Sequence, residues 1–392
     1  MEPRRSNTIR NLLCIYVPLL YIALGTMISV YSSKVPYIDW TRFIMSFVGI
    51  AMLFCLARRK NRAFSVLSVF SVLIVLTSFN YYFIENVSTA HSYLDIGDSV
   101  LWISVMLLSY RIAYKGVDAI RYSSFLAYLM PAFTIIFLKV RDFFLVNTDD
   151  TALISTAYYS LFLLPFALIV RNKYTKFLLI IFAFTSILLS SKRGGFIAFW
   201  GALIVFFYVE TKLKSKSSRW KRTIGAIIVI GLVLLFMNDF VQQNNLSIFD
   251  RLSNINEDKG SGRDVVYEYT WEMIKSSSIP SLIFGHGFNA VYHDSSLELS
   301  AHTDTLEIIY DYGIIGAMLY IMFYIRLISY YKKLKKINSQ YAAAFAASLV
   351  LVLVLSLFAH LIIYPTHFLY VCAFWGVCMG ECDKRKRYVQ AC

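Results

Sequence analysis

Charge is what this 392-residue sequence has least of. Only 16% of its residues are Asp, Glu, Lys or Arg, against about 25% in an ordinary soluble domain. A soluble chain of this length needs polar surface to enclose its core. This one cannot supply it, which excludes a soluble enzyme, a disordered tail and a fibrous repeat together. What is present is apolar: 58% hydrophobic residues, including 31 Phe, 28 Tyr and 6 Trp. A bilayer span takes about 20 apolar residues, so a dozen spans would use roughly 240 and leave room for one modest loop. The composition is that of a polytopic membrane protein.

Twelve apolar runs are read as spans, at residues 11–31, 41–57, 64–83, 96–114, 123–138, 151–170, 174–189, 194–209, 223–240, 305–330, 341–363 and 367–380. The first is too long for a signal peptide and lacks a small-residue cleavage site, so it is expected to remain. If the count is twelve, 28 of the 38 basic residues fall on one side of the array. Basic loops stay cytoplasmic, which predicts both termini inside and the sparse loops outside. The net charge of +14 then reflects topology, and nucleic-acid binding has no support. None of the six cysteines lies in an outer loop, so no disulfide framework is implied. No internal repeat relates the two halves, and the cations cluster outside the spans, unlike the pattern of a transporter.

One connection is long. Residues 241–304 form an outer loop between the ninth and tenth spans, and loops of that size are commonly functional. Within it, Val266, Tyr269, Met273 and Ile274 share one helical face, predicting a short amphipathic helix from Arg263 that Pro280 ends. Next comes Phe284-Gly285-His286-Gly287-Phe288, a glycine-punctuated turn where backbone can approach a ligand. The loop rejoins the membrane at His302-Thr303-Asp304-Thr305-Leu306-Glu307. Capping and the helix dipole account for Thr303 or Asp304 and for an early glutamate as well as function does. His302 is less easily explained that way, because an interfacial imidazole is available for proton transfer near neutral pH. A second outer feature is Ser191-Lys192-Arg193-Gly194-Gly195, at the start of the eighth span. Lys192 can be read as a cation snorkelling to the interface. Beside Arg193 the glycines admit a ligand or another helix. Arg263 is a further candidate cation, and Arg141, placed in the loop before the sixth span, a weaker one.

Arginines, a histidine and a glycine turn suit a substrate that carries a phosphate and a hydroxyl. Arginine's planar fork meets phosphate oxygens bidentately. A histidine can take the proton of an attacking alcohol. There is no nucleotide-binding loop and no clear metal-ligand set in the outer segments, so the donor must arrive already activated.

The pieces Ser191–Gly195, Gly262-Arg263 followed by Trp271, Phe284–Phe288, and His302–Glu307 with Gly313-Ile314-Ile315-Gly316 occur in that order. This set resembles the superfamily of O-antigen polymerases (Wzy) and O-antigen ligases, over roughly residues 185–330. One position departs from it: Thr303 stands where many members have Asn after the histidine. The resemblance implies an all-α integral membrane glycosyltransferase of the GT-C type in the bacterial inner membrane, with its active site on the periplasmic side. It implies a metal-independent, cofactor-free, inverting transfer between undecaprenyl-pyrophosphate-linked glycans, and a chain-length regulator as a possible protein partner. Arg193 and Arg263 would hold the pyrophosphate, and His302 would activate or orient the acceptor hydroxyl. Glu307 and Asp304 would hold the imidazole tautomer or the sugar. Gly285, Gly287 and Arg141 would lie near the substrate. Polymerisation of repeat units is the activity expected first. Ligation of the finished polymer to lipid A–core is the nearest alternative, and a non-enzymatic flippase is the alternative of another class.

Overall fold

The computed structural model describes residues 2–28, 37–57, 62–85, 92–147, 156–190, 192–213, 263–297 and 299–391. Every regular element among them is helical. Seven of these helices are long and apolar enough to cross a membrane: Ser6–Ile28, Phe64–Ile84, Leu94–Lys115, Ala119–Asp142, Arg193–Lys212, Asp304–Leu334 and Ser339–Ser356. The protein is therefore an all-α, multi-pass membrane protein. The run at 223–240 and the first part of the long loop, residues 241–262, lie outside the described residues.

The helices used below are α1 (Glu2–Ile28), α2 (Ile38–Ala57), α3 (Arg62–Phe79, continued by a π turn at Asn80–Ile84) and α4 (Ser92–Lys115). They are followed by α5 (Ala119–Ser123), α6 (Met130–Asn147), α7 (Ala157–Phe162), α8 (Leu164–Leu168), α9 (Lys173–Leu189) and α10 (Arg193–Lys212). After the undescribed stretch come α11 (Arg263–Ser276), α12 (Ile279–Phe284), α13 (Ala290–Asp294), α14 (Asp304–Leu334), α15 (Ser339–Ser356) and α16 (Leu369–Ala391).

The chain divides into two compact units. The first comprises Met1–Ser123, Ser261–Tyr330 and Leu355–Cys392. Its centre is α4, which packs on α1, α2, α3 and α16. The stretch Val100–Leu107 is buried on every side, as expected of a helix apolar all round. The tightest of these contacts has a sequence cause. Gly376 and Gly380 are four apart on α16, and a Cβ on either would come within 2.4 Å of a carbonyl oxygen of α4 (Met106 or Tyr110). Small residues at that spacing let two membrane helices meet backbone to backbone. A partly buried ion pair between Arg42 and Asp98 ties α2 to α4.

The second unit comprises Ser124–Gly260 and Tyr331–Val354. Thr134 on α6 shares hydroxyl hydrogen bonds with Ser160 on α7 (3.3 Å) and Ser186 on α9 (2.9 Å). Asn172 caps α9, its side chain accepting from the N–H of Tyr174 at 2.9 Å. The apolar run 151–170 contains two short helices, broken at Leu163, with Pro165 in the first turn of the second. Arg141, expected in a loop, lies inside α6.

Two further boundaries differ from the sequence reading. The run 341–363 is helical only to Ser356, after which non-helical turns carry the chain to α16. Pro365 lacks a backbone donor and suits that stretch. In the long connection, α11 ends at Ser276, before Pro280 is reached. Pro280 instead opens α12, where Ser278 caps the N-terminus by accepting from the Ser281 N–H.

Candidate functional site

The glycine turn exists to let two backbones touch. Helix α14 is broken at Gly313, whose φ of 68° and ψ of −174° interrupt the hydrogen-bond ladder. The carbonyls of Tyr310 and Asp311 accept instead from the N–H groups of His286 (3.0 Å) and Gly287 (2.8 Å). A Cβ on Gly285 would lie 2.3 Å from the Asp311 carbonyl oxygen, and one on Gly313 2.3 Å from that of Ile283. Only glycine fits either place, since both also have positive φ. Gly287, likewise at positive φ, would meet the Cβ of Tyr81 at 2.6 Å. Gly285 and Gly287 thus bring protein backbone close, where the sequence suggested a ligand.

The turn is then locked from two sides. Asp311, fully buried, accepts from the N–H groups of Asn289 (2.8 Å) and Val291 (3.3 Å), and so caps α13. Asp294, at the end of α13, accepts from the hydroxyls of Tyr81 (2.7 Å) and Tyr310 (2.9 Å). The Tyr82 hydroxyl donates to the Phe288 carbonyl at 3.0 Å, and the Phe288 N–H donates to Ser78 at 3.2 Å. Tyr81 and Tyr82 belong to the π turn that ends α3, a distortion common near functional sites. His286 stacks on Tyr310, with ring centroids 4.3 Å apart, and its Nε2 lies 3.1 Å from the Ser277 hydroxyl. Partial burial holds the His286 imidazole below its ordinary value of 6.5, against the opposing pull of Asp294 and Glu85.

The second turn carries His302. Its φ is 56°, in the left-handed region that non-glycine residues seldom occupy. Its neighbours are fastened individually. Glu307, 1% exposed, accepts from the Ala301 N–H at 2.7 Å. Thr303 stands at the N-cap of α14, its carbonyl accepting from the Glu307 N–H, while its hydroxyl donates to the Ser356 carbonyl at 3.0 Å. Asp304, also buried, accepts from the Ile362 N–H at 3.2 Å and so holds the chain beyond α15 rather than capping its own helix. His302 remains half-buried and stacks on His360, centroids 4.8 Å apart. The first unit therefore brings His302, Asp304 and Glu307 together, with both carboxylates engaged by backbone.

Arg263 is the first residue of α11, whose buried stripe is Val266, Thr270 and Ile274, with Tyr269 and Met273 half-buried beside it. One turn on, the Tyr267 hydroxyl donates to the Leu357 carbonyl at 3.4 Å. The Tyr269 hydroxyl accepts from the N–H and hydroxyl of Ser296, which favours the phenolate and lowers its pKa from the ordinary phenol value. These bonds fasten the helix of Arg263 to the segments that flank His302 and His360. In the second unit, Arg193 is the first residue of α10, a helix end where the dipole disfavours a cation. Gly195 faces Tyr158 of α7, 2.9 Å from where its Cβ would be, so the neighbour that approaches there is a helix. Arg141 lies in the same unit, part-way along α6.

Sequence reasoning missed Tyr81, Tyr82, Asp294 and Tyr310, whose partners lie up to 213 residues away. His360 lies inside the apolar run 341–363, with no motif around it to mark it. No curated protein matches the chain. Residues 178–321, which hold Arg193, Arg263, the glycine turn and His302, match the family model Wzy_C, described as O-Antigen ligase. Over those residues the chain is similar to the superfamily of O-antigen ligases and polymerases.

Proposed function

We propose that the protein is an O-antigen polymerase, a twelve-span glycosyltransferase of the GT-C type with both termini in the cytoplasm. At the periplasmic face of the inner membrane it joins oligosaccharide repeat units carried on undecaprenyl pyrophosphate. The observation that carries this reading is the presentation of His302: half-buried, in a left-handed turn, with Ala301 and Thr303 each pinned by a hydrogen bond. A base must be held rigidly to meet one hydroxyl of a large substrate. In the reaction, His302 takes the proton of the acceptor hydroxyl as that oxygen bonds to the anomeric carbon of the growing chain. The bond from that carbon to the pyrophosphate oxygen breaks, and its electron pair leaves with the phosphate, giving inversion. Arg263 is assigned to the charge that develops on the leaving group. Arg193 carries the same assignment by resemblance. Glu307 and Asp304 act through the turn they hold. No metal or cofactor enters this scheme, and a chain-length regulator is the expected protein partner.

The description of the matched family favours a second reading, ligation of the polymer to lipid A–core. A deletion strain separates the two. Loss of a polymerase leaves lipopolysaccharide capped with a single repeat unit. Loss of a ligase leaves bare core while lipid-linked polymer accumulates, and loss of a flippase leaves bare core with no polymer. Lipid-linked polymer in the deletion strain would remove the polymerase reading.

A further inference from the structure

His302 is not a solitary histidine. Helix α15 stops at Ser356 although the sequence beyond it, Leu357 to Ile363, stays largely apolar. The segment that follows is stapled to the start of α14 at two points. The Thr303 hydroxyl donates to the Ser356 carbonyl at 3.0 Å, and the Ile362 N–H donates to Asp304 at 3.2 Å. Between the staples, His360 lies against His302 with ring centroids 4.8 Å apart and planes 27° from parallel. Tyr364 closes on the other ring, its centroid 4.9 Å from that of His360. Leu361, Ile362 and Ile363 are buried and keep the segment from swinging away.

We infer that His360 is a positioning residue for the proposed transfer, fixing the His302 ring by stacking and disfavouring a second proton on the pair of imidazoles. This rests on the reading of His302 as the base. Two imidazolium rings face to face repel, so the doubly charged pair is disfavoured and each ring makes the other harder to protonate. A base must be uncharged when the hydroxyl arrives. Among the described residues, titratable groups beside the pair include Asp304 and Glu307 on α14 and Tyr364 on the same segment, and Tyr364 in turn feels Glu307, Tyr292 on α13 and Asp95 on α4. A carboxyl pulls toward a charged imidazole only when it is ionised, and the second histidine opposes that pull.

The test is the pH profile of chain extension by the full-length protein in nanodiscs, with purified lipid-linked repeat units, across about pH 5–9. His360→Phe keeps a flat ring without a charge, and His360→Lys keeps a charge without the ring. With Phe, turnover at its optimum should stay within about threefold of wild type, while the acid limb moves to higher pH and activity near pH 6 falls about two- to fourfold. With Lys, a fixed positive charge should move the acid limb to lower pH, and His360→Ala should lose turnover at every pH. A purely structural role would lower thermal stability in all three variants and leave the limb in place. An unmoved limb in folded Phe and Lys variants, with His302→Ala inactive, overturns the role of His360 alone. Normal extension by His302→Ala overturns the base itself, and with it the reading on which this inference rests.

Discussion

A histidine at φ 56° carries two burdens, an unusual backbone and a reactive side chain, and substitution can separate them. Asparagine tolerates the left-handed region well, whereas alanine there costs about 1 kcal/mol. His302→Asn and His302→Ala should both abolish chain extension, with only the alanine variant also losing thermal stability; turnover in nanodiscs and a melting curve report the two effects. For the arginines, the fork matters as well as the charge. Lysine presents a compact ammonium and loses the bidentate contact. Charge-assisted hydrogen bonds contribute about 1.5–3 kcal/mol and each 1.4 kcal/mol is tenfold in rate, so Arg263→Lys and Arg193→Lys should each slow transfer about ten- to a hundredfold. Wild-type turnover in Arg263→Ala would show that the pyrophosphate is held elsewhere. His286 makes a prediction about stability and pH. Its imidazole is held below 6.5 in the folded protein, so the unfolded chain binds the proton more readily. Stability therefore falls as pH drops from 6.5 through the lowered folded value, and the full penalty is present below it. The melting temperature of wild type should drop more between neutral and mildly acidic pH than that of His286→Gln; parallel profiles would show that burial does not shift this group.

At the scale of elements, the break in α14 is the feature on which the turn depends. An uninterrupted helix would use the Tyr310 and Asp311 carbonyls itself, leaving the His286 and Gly287 N–H groups without acceptors. Gly285→Ala and Gly313→Ala each combine a positive φ with a Cβ 2.3 Å from a carbonyl oxygen. Neither partner is a flexible side chain that could move. Each should destabilise the first unit by several kcal/mol, about 1 of which is the backbone term, and should lower the yield of folded protein in detergent. Gly201→Ala is the control. Its Cβ would make an ordinary 3.5 Å contact with Val350, and in a helix it should be neutral or slightly stabilising. Equal losses in all three variants would mean that the close backbone contact is not what holds the turn.

For the whole molecule, the basic residues make an orientation prediction. Reporter fusions after Asn338 and near the C-terminus should read cytoplasmic, and one after Ser296, in the exposed stretch before His302, should read periplasmic. A cytoplasmic signal after Ser296 would reverse the array and put the proposed site on the side where no lipid-linked polymer is expected to be built. Much of this architecture was legible without coordinates, because membrane helices satisfy their own backbone and announce themselves by length and hydropathy. The amphipathic face of Arg263–Ile274 was legible for a similar reason: one period relates residues a few positions apart. The break after Ser356 was not. The segment 357–363 is as apolar as the helix before it, and the bonds that turn it aside come from Thr303 and Asp304, over 50 residues away.

By itself, the sequence determined the membrane class, the helical periodicities, and which residue types cluster between residues 241 and 304. Each follows from local composition, which neighbours along the chain do not alter. The tertiary structure alone decided that Gly285 and Gly313 press two backbones together, that Glu307 and Asp304 hold chain instead of standing open, and that His302 has His360 as its companion. Those outcomes depend on which groups meet after folding. A buried polar group takes whatever partner the packing delivers, and no spacing in the sequence records it.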